Sequence, residues 1–414
     1  MRIAVVGAGV SGLVAAYLLN EDHDVTLFEA GAHAGGHALT VDAEMDGAIH
    51  PVDVGFVVFN ETTYPSFVRL LGKLGVASRP TSMSFGVRCD RTGIEYCGTS
   101  LDTVFAQRRN LVRPSFLRML RDILRFNREA KELLDLGIAA PTLGELVRER
   151  GYSREFMDHY LVPMVAAIWS ADPDKVADFP ALFFVRFFRN HGLLGVDSHL
   201  PWRVVQGGSR RYVEALTRSF GDRIRLGTPV RSVTRAADFV TVVPESGPPE
   251  RFDHAILATH ADQALGMLAD ATERERELLR AFPSTRNEGV LHTDASLLPS
   301  RRKAWASWNY RLPETEGGRV AVTYDMTRLQ GLATREPVCL SLNPTVEIDP
   351  ARVLRRFSFE HPLYTPASVT AQERHGEISG TGRTHFAGAY WGNGFHEDGV
   401  ASALTVCRSF GKTL

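Results

Sequence analysis

Hydrophobic residues recur along this chain in distinct rhythms, and each rhythm predicts an element. Continuous β-branched runs predict buried strands at Arg2-Ile3-Ala4-Val5-Val6 and at Asp24-Val25-Thr26-Leu27-Phe28-Glu29, which ends in an acid. Between them Leu13 to Leu19 reads as the opening of a helix, with Ala15 and Ala16 small enough to lie against a sheet. Helical spacing returns at Phe67, Leu70, Leu71 and Leu74, with Gly75 as a stop. Ser82 to Tyr96 alternates like a hairpin whose turn is Asp90-Arg91-Thr92-Gly93. Pro114 starts a helix, and Thr142-Leu143-Gly144-Glu145 has the form of a capping box. Phe156 to Trp169 is apolar and aromatic, closed by Ser170-Ala171-Asp172-Pro173. Five phenylalanines fall within the ten positions Phe179 to Phe188, as a core helix or as the lining of an apolar tunnel. Glu273 to Phe282 is a charged helix, and Gly289 to Asp294, Ala304 to Tyr310, Val320 to Asp325 and Val338 to Leu342 read as strands.

The small and polar residues between these runs carry the chemistry. Gly7-Ala8-Gly9-Val10-Ser11-Gly12 lies between a strand and a helix, the context that a dinucleotide fingerprint requires. Gly7 makes the tight turn, Gly9 lets a pyrophosphate approach the backbone, and Gly12 lets the helix lie close to the strands. The helix start at Val10 and Ser11 offers free N–H groups and a partial positive charge to phosphates. Glu29, 17 residues after Gly12, can accept ribose hydroxyls and repels a 2′-phosphate.

The segment beginning at Glu29 selects the dinucleotide. Glu29-Ala30-Gly31-Ala32-His33-Ala34-Gly35-Gly36-His37 resembles the E-A-x(4)-G-G-R segment of the flavin amine oxidase, protoporphyrinogen oxidase and carotenoid desaturase superfamily. The resemblance implies FAD, with Ala30, Gly35 and Gly36 wrapping its pyrophosphate and His37 standing where the family usually has arginine. His50 to Asn60 looks like the family's D-x-G segment, in which Gly55 would let backbone approach the isoalloxazine and Phe56 would wall the site. On composition alone it reads equally well as a buried strand with a bulge glycine. Pro201 to Tyr212 resembles the family's G-G segment, and Thr228 to Val233 its P-V-x-x-V strand, where the Val230 backbone would bond adenine. Phe252 to His260 resembles the D-x-V-I-x-A-T strand that brings Thr259 to the cofactor.

Thr384 to Ala403 resembles the superfamily's final FAD motif: a strand ends at Gly388, a loop passes the flavin, and a helix containing Asp398 and Val400 starts beneath the ring. Its first N–H groups would stabilise negative charge on the reduced flavin. No cysteine lies in this segment, which excludes a cysteinyl-flavin bond there, and Tyr390-Trp391 only partly echoes the tyrosine pair of monoamine oxidases.

The implied fold is α/β: a Rossmann-like FAD-binding domain of the GR2 flavoprotein type, built from residues 1–80, 200–270 and 375–414. Residues 81–199 and 271–374 would form an inserted α+β substrate domain with a helical cap. The combination D-x-G-F-x-x-x-N, L-H-T-D, S-W-N-Y, T-Y-D-M and A-G-A-Y-W-G-N-G-F-H-E-D-G looks like the FAD-binding oxidoreductases often encoded beside cyclopropane-fatty-acid synthase-type methyltransferases. That resemblance implies hydride transfer to flavin N5 from a hydrophobic substrate, a modified fatty acyl chain of a phospholipid. Tyr390, His396 and Glu397 are the proton-accepting candidates by closeness to the flavin motif. Two other readings stay open: an amine or amino-acid oxidase releasing hydrogen peroxide, and a non-oxidase flavoprotein partner of a methyltransferase.

Composition narrows this picture. Of 414 residues 44% are hydrophobic and 23% charged, and the net charge of −1 argues against a general nucleic-acid binder. Cys89, Cys97, Cys339 and Cys407 form no metal or redox spacing, and their sparse use fits a reducing cytoplasm. His292 and Asp294, two apart on an expected strand, are too few for a metal site, so no metal is expected. The amino-terminal apolar run mimics a signal peptide, but cleavage would remove the glycine turn. No later run reaches a transmembrane length. The arginine-rich helices of residues 105–128 read either as a solvated face or as a contact with an anionic membrane; Arg121, Arg125 and Arg128 share a face opposed nearby only by Asp122.

Overall fold

Five parallel strands build the sheet that carries the glycine turn. Their order is Ile224–Arg225, Asp24–Phe28, Arg2–Val6, His254–Leu257 and Thr384–Phe386. The computed structural model describes residues 1–134, 141–169, 173–195, 200–314, 321–344 and 346–414. Arg2–Val6 is central and covered on both faces, hence its continuous apolar run. Ile3 and Val5 point into one core, shared with the helices Val10–Leu19, Pro65–Leu74 and His396–Arg408. Ala4 and Val6 point into another, beneath the meander Val230–Arg235, Val240–Pro244 and Glu250–Phe252.

A second sheet of seven strands stands beside the first. Its order is Val353–Pro362, Ser284–His292, Cys339–Leu342, Ala321–Asp325, Trp308–Leu312, Phe85–Cys89 and Ile94–Cys97. The early hairpin joins the late strands through the parallel pairing of Phe85–Cys89 with Trp308–Leu312. Helices Pro114–Leu133, Leu143–Glu149, Val162–Trp169 and Ala181–Asn190 form a cap over this sheet. Thr142 and Glu145 make the expected capping box, and a π-helical turn, Met157–Leu161, interrupts the Phe156–Trp169 run. The closing residues 170–172 and Val320 lie outside the described residues.

Asp53 ties the two regions together. Its carboxylate accepts from the hydroxyls of Thr40 and Ser209, from the Ser209 N–H and from Gln330, whose Oε1 accepts the Asp53 N–H. A buried carboxylate is stable only when its oxygens are met this fully.

Three local expectations change. The strand expected to reach Asp294 ends at His292, because the Asp294 N–H turns back to His292 Nδ1 at 3.0 Å and its carboxylate caps the turn Ala295–Leu297. Among the described residues no group of three or more His, Cys, Asp or Glu is placed to hold a metal. The phenylalanine run is mainly core: Phe183, Phe184, Phe187 and Phe188 are all buried, and of these only Phe187 lines the large cavity between the two sheets. The arginine face is better neutralised than its sequence suggests. Arg108 pairs with Asp102, Arg118 with Glu155, and Arg125 with Glu129. The four cysteines are buried free thiols. No helix among the described residues is long and apolar enough to cross a membrane.

Candidate cofactor and substrate site

The glycine turn has the shape its sequence demands. Gly7 sits at φ +100°, and a Cβ there would lie 2.6 Å from the Ala258 carbonyl oxygen. A Cβ on Gly12 would lie 1.9 Å from the Gly7 carbonyl oxygen, so the helix rests directly on the turn. Gly9 is different: its backbone is extended, and nothing lies within 4 Å of where its Cβ would point. The helix Val10–Leu19 starts with no side-chain cap and no acid in its first turn. Its first N–H groups are therefore left for an anion. Beside them, Glu29 accepts the N–H groups of Ala8 and Gly31, each at 2.7 Å, which fixes its carboxylate while leaving lone pairs for hydroxyl donors. Gly35 N–H donates to the Ala8 carbonyl at 2.8 Å, holding the second glycine pair against the first.

The chain's late motif closes on this turn. Ser11 Oγ donates to the Gly399 carbonyl at 2.9 Å, and a Cβ on Gly399 would meet Val10 at 2.6 Å. Gly388 N–H donates to Ser402 Oγ at 2.7 Å. Helices Val10–Leu19 and His396–Arg408 thus bring their amino-termini together. Asp398 caps the second by accepting the Phe395 N–H at 2.8 Å, and burial raises its carboxyl to about 6.

One continuous cavity of about 1590 Å³ opens at this junction. A drug-sized ligand fills roughly 300–1,000 Å³, so there is room for an extended dinucleotide and a second molecule. Gly7, Gly9, Val10, Ser11, Glu29, Ala30, Gly36, His37, Gly55, Phe56, Val230, Thr259, Gly388, Tyr390 and His396 line it. Gly12, Gly35, Asp398, Val400 and Glu397 do not: the first four support the wall from behind. The uncapped helix start, the open space at Gly9 and the length of the cavity fit FAD. Gly55 lines the cavity and meets a second demand besides. A Cβ there would lie 2.2 Å from the His37 carbonyl oxygen, so the glycine lets two wall segments touch.

The catalytic candidates divide. Glu397 is spent on structure: its two oxygens accept the N–H groups of Ser66 and Phe67 at 3.0 and 2.9 Å, capping the helix Pro65–Leu74. Glu397→Ala is expected to cost about 1–2 kcal/mol of stability without altering the pH profile of turnover, as denaturant melts and pH–rate curves would show. His396 faces the cavity, but its Nε2 meets the Tyr212 hydroxyl and its ring stacks on Phe56 at 3.7 Å. Burial drives its pKa down to about 3, so it stands as a neutral plate in the wall. Tyr390 lines the cavity and packs on Phe282 and Trp391.

Other wall residues carry no local sequence signal. Tyr364 stacks on Phe183 at 4.9 Å, and its buried hydroxyl has no hydrogen-bond partner among the described residues. His361 accepts from Asn287 at Nδ1 (2.8 Å), and Asn287 in turn accepts from Asn343 at 2.6 Å. This relay places the proton of the neutral ring on Nε2. Burial, then the neighbouring His260, lowers the His361 pKa to about 4. His37, 5.2 Å from His361 between ring centres, is lowered by burial and by His361 and His260. It therefore does not reproduce the arginine charge of the family pattern. Trp169 donates to the Asn393 carbonyl at 3.2 Å, latching the cap to the loop before the last helix.

A parallel sheet with an uncapped glycine turn, a ribose-directed acid and a second helix start meeting the first defines an FAD-binding oxidoreductase fold. The profile of the flavin containing amine oxidoreductases matches residues 10–323, and the chain belongs to this family. A Mycobacterium tuberculosis protein named as a flavin-containing monoamine oxidase, AofH, is 28% identical over 271 residues, covering 60% of this chain and 54% of its own. The chain thus spans about half the length of that curated relative. Among solved structures, cyclohexylamine oxidase from Brevibacterium oxydans superposes with a TM-score of 0.72 at 18% identity, over 99% of both chains. The CLA-producing fatty acid isomerase from P. acnes superposes with a TM-score of 0.69 at 15% identity, over 99% of this chain and 98% of its own. At such identities these two likenesses show the fold alone.

Proposed function

We propose that this protein oxidises the acyl chain of a lipid, introducing unsaturation into a modified fatty acyl group. The carrying observation is the wall of the cavity beyond Phe56 and His396. It turns to Leu120, Ile123, Leu124, Met164 and Ile168, and among the described residues the lining holds neither lysine nor arginine. Such a wall accepts a hydrocarbon and offers no countercharge to a carboxylate or phosphate. The head of the substrate therefore stays outside while its chain is drawn in. That the same fold serves a fatty acid isomerase supports the reading.

Bound FAD would supply the two-electron oxidation. Val10, Ser11, Gly36 and the start of the last helix would hold and orient it, and the Phe56–His396 stack would exclude water beside it. The Tyr364 hydroxyl, buried in the wall and without a partner among the described residues, offers one hydrogen bond to a bound molecule.

Glu360 favours a second reading, amine oxidation, because it puts one carboxylate in the wall apart from Glu29. An anaerobic titration separates the two. Bleaching of the flavin by an acyl phospholipid, with loss of two hydrogens from the lipid by mass spectrometry, is the expected outcome. A flavin that stays oxidised with lipids and bleaches with alkylamines would overturn it.

A further inference from the structure

The outer edge of the cap combines two features that are rare together. Among the described residues nine large hydrophobic side chains are exposed, and five of them, Leu101, Leu111, Val112, Leu117 and Leu124, fall within residues 101–124. Residues 101–128 also carry seven arginines against two aspartates, in a chain whose net charge is −1. On the helix Pro114–Leu133 the two features interleave. Leu117, Arg121, Leu124 and Arg128 follow at spacings of four, three and four, so they form one exposed stripe. The Arg108–Asp102 contact holds the Leu101 turn beside the turn that carries Leu111 and Val112. Several charges stay open on this face. Arg109 and Arg113 contact only backbone carbonyls and Ser115, and Arg128 pairs with no carboxylate among the described residues.

The stripe is also the lip of the cavity. Leu120 and Ile123 on the same helix line the cavity, and Leu124, 58% exposed, belongs to both surfaces. We propose that this face docks on a bilayer containing anionic phospholipid, with Leu111, Val112 and Leu117 entering the headgroup boundary and the arginines meeting lipid phosphates. The delivery of a chain past Leu124 rests on the acyl-oxidation reading; the docking itself does not. A second copy of the chain suits the face poorly, because a two-fold contact would set arginines against arginines. A bilayer supplies both a hydrocarbon layer and a fixed negative charge. It also accounts for a cavity lining without lysine or arginine among the described residues: the polar head remains at the arginine rim.

The test uses the full-length, FAD-loaded protein and co-sedimentation with phosphatidylcholine vesicles, with and without phosphatidylglycerol. The expected result is binding that requires phosphatidylglycerol and weakens with salt. Arg121→Gln with Arg128→Gln should weaken the partition on the order of 10-fold, at about fivefold or less per charge. Leu111→Ser with Val112→Ser should weaken it by a similar factor. All four positions are exposed, so flavin content and circular dichroism should match wild type. Equal partition onto both vesicle types, unaltered partition of the variants, or a dimer in light scattering that covers these residues would overturn the proposal. Turnover of a detergent-dispersed lipid should be unchanged in the variants. If no lipid is turned over, the acyl reading fails, while vesicle binding still decides the docking.

Discussion

Gly9→Val is expected to give a folded, colourless protein. The backbone at Gly9 is extended, which any residue adopts, and no atom lies within 4 Å of the new Cβ. The melting temperature of the flavin-free variant should therefore stay within about 2 °C of wild type. The added isopropyl group would project into the cavity at the uncapped helix start, where the pyrophosphate must touch backbone. FAD affinity should fall by about 100-fold or more, close to 3 kcal/mol. Flavin absorbance per polypeptide and FAD titration of stripped protein would check it. Retained colour would mean that the cofactor does not lie on this turn. Gly12 makes the contrast clear: a side chain there strikes the Gly7 carbonyl and disturbs the fold itself.

The second large effect lies in the part of the cavity walled by the cap. Ile168→Trp would put an indole into the part of the cavity lined by the cap helices, on an element that contributes nothing to the glycine turn. Flavin content should be unchanged. On the acyl-oxidation reading, kcat/KM for long acyl substrates should fall by about 100-fold, because the reacting carbon can no longer reach its place. Shorter chains should be affected less. An equal loss for short and long chains, or a loss of flavin, would show that Ile168 is a packing residue rather than part of a substrate wall.

Legibility in the sequence divides along a physical line. The phosphate turn was legible because a strand, three glycines and a helix act within a dozen residues, each glycine answering a local steric demand. The capping box at Thr142, the helix start at Pro114 and the hairpin turn at Asp90–Gly93 were legible for the same reason. Glu397 was not. Its partners are N–H groups 330 residues earlier, and nothing near it in the chain marks a carboxylate reserved for a distant helix. His361 and Tyr364 were equally hidden, as single residues near the end of an edge strand whose role depends on Asn287 and Phe183. Gly55 was legible as a close-approach glycine, but not the partner that needs it within the protein, the backbone of His37. The arginine helix showed its charge in sequence but hid its pairing, because Glu155 lies on another element.

The tie between Ser11 and Gly399 has a consequence for biosynthesis. One wall of the flavin groove is translated first and its counterpart nearly four hundred codons later. A nascent chain on the ribosome can shape the glycine turn early, yet it cannot enclose the prosthetic group until the closing helix has emerged. Loading is therefore a late event, and a polypeptide cut short before Gly388 would leave the ribosome with half a socket.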